Sequence, residues 1–66
     1  MWVAVYIAPN RRVAVILKQL LEIEGILVKL KEPDAAVIEE KNVEVMVTEF
    51  EIEEANEVIN NALQRF

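Results

Sequence analysis

Apolar positions follow two rhythms along this chain, and the switches between them mark its elements. Trp2–Ala8 reads WVAVYIA, apolar throughout and rich in β-branched residues, which predicts a strand able to be covered on both faces. Over Arg11–Glu24 the spacing changes. Val13, Ile16, Leu17, Leu20 and Leu21 recur at helical intervals, the stripe of an amphipathic helix. Asn10 stands where its N-cap belongs and Gly25 where a left-handed C-cap belongs. Alternation returns over Ile26–Lys31, with Ile26, Val28 and Leu30 on one side and Leu27, Lys29 and Lys31 on the other. Glu32-Pro33-Asp34 breaks that strand, and Val43–Val47 alternates again. Thr48 followed three residues later by Glu51 fits a capping box. It opens a second helix to about Gln64, with Ile52, Ala55, Val58, Ile59, Ala62, Leu63 and Phe66 as its apolar stripe. Glu51, Glu53 and Glu54 suit the positive N-terminal end of that helix.

The order β-α-β-β-α is an α+β arrangement, a ferredoxin-like plait lacking its last strand, as one domain over residues 1–66. A right-handed crossover makes the first two strands parallel. The third then lies between them, antiparallel to both, giving sheet order 1-3-2 with both helices on one face. Strict alternation places Val3, Val5, Ile7, Ile26, Val28, Leu30, Val43, Val45 and Val47 on the covered face. It leaves Trp2, Ala4, Tyr6, Leu27 and Met46, with Lys29, Lys31 and Glu44, on the open one. So much open apolar surface predicts a contact. The first strand is also an uncharged edge without an internal proline, a template for pairing. Self-association, or docking of a protein partner, through the open face or that edge is therefore expected, with Trp2, Ala4, Tyr6, Leu27 and Met46 as the interface.

Composition narrows the function classes. Chains of this length bury only about 60% of their unfolded surface. With no cysteine to staple it and no Cys/His set for a metal, stability rests on the 55% apolar content. A net charge of −5 and a pI near 4.6 oppose general affinity for nucleic acid or anionic lipid. No apolar run is long enough to span a membrane, and no basic leader precedes Trp2–Ala8, so a cytoplasmic location is the expectation. Abundant Glu, Lys, Ile and Val, without His or Cys, lean towards a thermophilic source.

Three segments together, W-V-A-V-Y-I-A-P-N, L-L-E-I-E-G-I-L-V-K-L, and V-E-V-M-V followed by E-I-E-E-A-N-E-V-I, resemble a family of small prokaryotic proteins assigned to signal transduction. Its members have a ferredoxin-like fold akin to the PII nitrogen regulators. The resemblance covers nearly the whole chain except Glu32–Asn42 and is carried mostly by core and turn positions. It implies a regulatory module without carrying over catalytic residues. The chain departs from the pattern at Thr48 and Phe50, where relatives tend towards Pro and Ser, which alters the cap of the second helix. Some similar short chains bear a glutamate-decarboxylase label. That chemistry needs pyridoxal phosphate on a pocket lysine with a phosphate cradle, which one glycine and four surface-pattern lysines do not build. No cofactor is expected.

The remaining candidates are few. Glu49, Glu51, Glu53, Glu54 and Glu57 lie on the outer side of an amphipathic helix without calcium-loop geometry and read as a solvated face. Trp2 and Tyr6 on a sheet face resemble the base-stacking platform of RNA-binding plaits, but the acidic balance favours interface packing. Lys29 and Lys31 near Glu44 read as cross-strand ion pairs. Thr48 and Tyr6 supply the only hydroxyls, so a hydrolytic dyad or triad is not expected. Arg11 and Arg12, two of three arginines, stand at a helix N-terminus, which ordinarily attracts acids. Either the acids of the Glu32–Asn42 connection, Glu32, Asp34, Glu39 and Glu40, neutralise them, or Asn10, Arg11 and Arg12 hold a small anion, a phosphate or carboxylate. The expected function is a non-catalytic regulatory or interaction module acting as a homodimer; the alternative is an anion or metabolite sensor at the arginine turn.

Overall fold

The computed structural model describes residues 1–33 and 41–65. The elements run β1 (Trp2–Ala8), α1 (Arg11–Ile23), β2 (Val28–Lys31), β3 (Val43–Thr48), a single 3-10 turn (Glu49–Glu51) and α2 (Ile52–Leu63). The sheet order is β1-β3-β2, and β3 is antiparallel to both neighbours, so β1 and β2 are parallel. This is the ferredoxin-like plait lacking one strand.

Cross-strand rows show how the strands form one packed layer. Val3 and Val28 flank Val47, Tyr6 and Leu30 flank Val45, and Ala8 stands opposite Val43. Val43, Val45 and Val47 are completely covered, together with Leu17 and Leu21 of α1. Ala14, Ile26, Ala55, Ile59 and Ala62 complete the core. Small alanines at the contact positions of both helices let the backbones approach the sheet closely. Among the described residues no polar or charged side chain is buried, so burial and backbone hydrogen bonding hold the fold together. The molecule is 14 Å through its shortest dimension, one sheet and one helix layer thick.

Strand β1 departs from strict alternation. Its seven residues face six on β3, and the register slips between Ala4, opposite Met46, and Tyr6, opposite Val45. Val5 is the extra residue of a β-bulge. Beyond it every side chain changes face, as a one-residue shift demands. Tyr6 therefore packs against the core instead of joining the open face, and Ala8 is fully buried. Ile7, expected inside, stands opposite Glu44 and is 59% exposed.

The helix ends follow their sequence signals at three of four places. The Asn10 side chain accepts from the Val13 N–H at 2.9 Å, and its carbonyl accepts from Ala14, satisfying donors that the first turn leaves orphaned. At the other end Gly25 has φ +81°, its N–H donates to the Glu22 carbonyl, and the Ile26 N–H reaches back to Leu21. This is a Schellman closure with Ile26 and Leu21, both buried, as its hydrophobic contact. Helix α2 stops at Leu63 with the Gln64 N–H bonded to Asn60. Its start differs from the capping box. Thr48 remains in β3 opposite Trp2 and makes no side-chain cap bond. The Glu49 N–H instead donates to the Met1 carbonyl at 2.9 Å. A 3-10 turn precedes the α-helix proper, so the N-terminal segment does what the threonine hydroxyl was expected to do. Phe66 lies outside the described residues.

Candidate interaction surfaces

The sheet's second face has no helix over it. Its rows place Trp2 beside Thr48, Ala4 with Met46 and Lys29, and Ile7 with Glu44 and Lys31. Leu27, immediately before β2, is 62% exposed. Lys29 extends across the sheet until its ammonium stands 5.7 Å from the centre of the Trp2 ring, a cation–π contact worth about 0.5–1 kcal/mol at an exposed site. Lys31 reaches Glu44 at 3.9 Å, the expected cross-strand pair. The Lys31–Glu44 pair thus lies towards the β2 edge, Lys29 reaches across to Trp2, and the β1 side presents Trp2, Ala4 and Ile7. Trp2, Ala4 and Met46 are where the pattern placed them, Leu27 is exposed just before β2, and Tyr6 has exchanged places with Ile7. Nothing in composition marks that exchange. The mismatch in strand length is its only trace.

The two sheet edges are unequal. Strand β2 has four residues, two of them lysines, and such charge discourages further pairing. Strand β1 carries no charge, but its bulge interrupts the row of free backbone groups that another strand would need. That favours the face over the edge as a contact surface.

At the arginine turn, the Asn10 oxygen is committed to capping. The Arg11 guanidinium donates to the Glu32 carboxylate, so strand β2 delivers an acid to the start of α1. Both partners are about half exposed or more, and such a pair is worth roughly 0–1 kcal/mol. Parallel β1 and β2 finish at the same end of the sheet, on either side of β3, which is what brings Glu32 towards Arg11. Arg12 is exposed. Asp34, Glu39 and Glu40 lie outside the described residues.

On the helix layer, the end of α1 and the length of α2 enclose a trough. One part, about 380 Å³, is lined by Glu24, Ile26, Glu51, Glu54, Glu57, Val58 and Asn61. A second part, about 190 Å³, shares Glu24, Val58 and Asn61 and ends at Arg65. Among the described residues no acidic group is arranged to hold a metal ion. No helix of the described residues is long and apolar enough to cross a membrane. No family model, curated protein or solved structure matches the chain.

Proposed function

We propose that the chain is a non-catalytic regulatory or protein-interaction module of the signal-transducing kind, working as a homodimer through the open face of its sheet. The observation supporting this reading is the uncovered face itself: Trp2, Ala4, Ile7 and Met46 share it, and Leu27 adjoins it. The non-catalytic part rests on side-chain chemistry, since His and Cys are absent and the Tyr6 ring packs against the core. Seven residues at 3.3 Å and three strands at 4.8 Å make a face of roughly 300 Å² in projection. A stable interface takes about 800 Å² from each partner. Face-to-face pairing is accordingly weak and reversible.

Light scattering behind a sizing column tests this at rising concentration. The expected result is a shift from monomer mass towards dimer mass, abolished by Met46→Lys, which puts a cation at the centre of the face without touching the core. A monomer at every concentration up to millimolar would overturn the reading. The anion-sensor alternative draws no comparable support, because Arg11 and Asn10 already have partners within the chain.

A further inference from the structure

The trough between the helices has features that the sheet face does not explain. Along it lie Glu51, Glu54, Val58, Asn61 and Arg65, one stripe of α2 and its leading turn at three- and four-residue steps. At 1.5 Å per residue the stripe runs for about 21 Å. The facing wall comes from Leu20 and Ile23 of α1 and from Glu24 just past its end, and Ile23 is 79% exposed. Leu20, Ile23, Ile26, Val58 and Ala62 supply apolar lining beside Asn61, the rim of the larger part holds glutamates and no basic residue, and Arg65 closes the far end. None of Glu24, Glu51, Glu54 and Glu57 forms an ion pair among the described residues. Glu51, Glu54 and Glu57 repel one another at helical spacing. The helix dipole favours the first two, but Glu57 lies beyond its first-turn reach.

We infer that this trough docks a basic amphipathic helix of another protein, with apolar residues on Leu20, Ile23 and Val58 and lysines or arginines along the glutamate rim. The length of the stripe, its apolar side chains and above all the charge of the rim select that occupant. A second copy of this chain, with net charge −5, would bring like charge to the rim. A helix of about fourteen residues matches the stripe, and laying its apolar face into a groove is a general recognition mode. Arg65 orients it, because an acidic residue or C-terminal carboxylate of the partner belongs at that end.

This deepens the interaction-module reading but uses the layer opposite the dimer face, so the two can fail separately. The probe is an end-blocked peptide of about fourteen residues with leucines at i, i+3, i+7 and i+10 and lysines on the flanking positions. It is titrated into the isotope-labelled protein by NMR, and mass is followed on the same samples by light scattering. The expected result is shifts confined to Ile23, Glu24, Glu54, Glu57, Val58 and Asn61. Affinity should fall at least tenfold in Glu54→Lys/Glu57→Lys and in Ile23→Lys, and should weaken as salt rises. All three substituted side chains are exposed, so these variants keep the fold. A scrambled peptide of equal charge that binds as well, shifts centred on the sheet face, or unchanged affinity in either variant would overturn the inference. So would no shift at millimolar peptide.

Discussion

Arg11 shows how little a surface charge need do to belong where it stands. A cation at a helix N-terminus opposes the dipole by about 0.3–1 kcal/mol, and the Glu32 carboxylate offsets it from the neighbouring strand. Arg11→Gln should therefore change stability by under about 1 kcal/mol. In a double-mutant cycle with Glu32→Gln, the coupling should be a few tenths of a kcal/mol and vanish in high salt. Inorganic phosphate should leave melting unaltered; a phosphate-dependent rise lost in Arg11→Gln/Arg12→Gln would revive the anion site. Two other residues, one at each end of α1, matter more for the backbone. Removing the Asn10 cap, as in Asn10→Ala, should cost about 1 kcal/mol by urea denaturation. Gly25→Ala should cost a similar amount, about 1 kcal/mol, even though no atom stands within 4 Å of the added carbon. The strain there lies in φ +81° and not in crowding.

At the scale of elements, the helices, Gly25 and the sheet order were legible because their signals are local and redundant. Periodicity, a capping asparagine and a glycine after the last stripe residue all agree over Asn10–Gly25. The bulge was not legible because alternation in β1 is uninformative: every residue of WVAVYIA is apolar or aromatic. Either face would accept either set, and what decides is the count of seven residues against six between two anchored ends. Thr48 misled for a related reason. Its hydroxyl has the right spacing to Glu51, but the Met1 carbonyl is brought to Glu49 by strand pairing, which no local pattern records. The acids of α2 were legible as exposed, yet the trough they rim forms only when α1 lies alongside. The register itself can be checked. Val45→Asp buries an unpaired charge in the central strand and should abolish folding, a loss of several kcal/mol. Glu44→Gln, one position away and losing only the Lys31 pair, should cost under about 1 kcal/mol. Equal losses for the two in circular-dichroism melts would mean that the register of β3 is wrong.

For the whole molecule, the thin two-layer shape links folding to association. Among the described residues the core holds eleven buried apolar side chains, four of them alanine, which leaves a modest reserve of stability. Whatever covers the open face adds to it. If the cover is a second copy, melting temperature must rise with protein concentration, since mass action stabilises by RT ln(1 + [L]/Kd). At about 100 times the dissociation constant that is about 2.7 kcal/mol, or more than 10 °C at about 4–8 °C per kcal/mol for a domain this small. The bulge supplies a paired control. Ile7→Lys changes a side chain on the open face and should leave the dilute melting temperature nearly unchanged while removing its rise with concentration. Tyr6→Lys changes the adjacent side chain, which packs inward, and should lower melting at every concentration. Calorimetry over a hundredfold range of concentration separates the cases. A concentration-independent melt of the unaltered protein would leave the face without a self-partner. If the two lysine variants behaved alike, the bulge would not divide Tyr6 from Ile7, and the face would have to be redrawn.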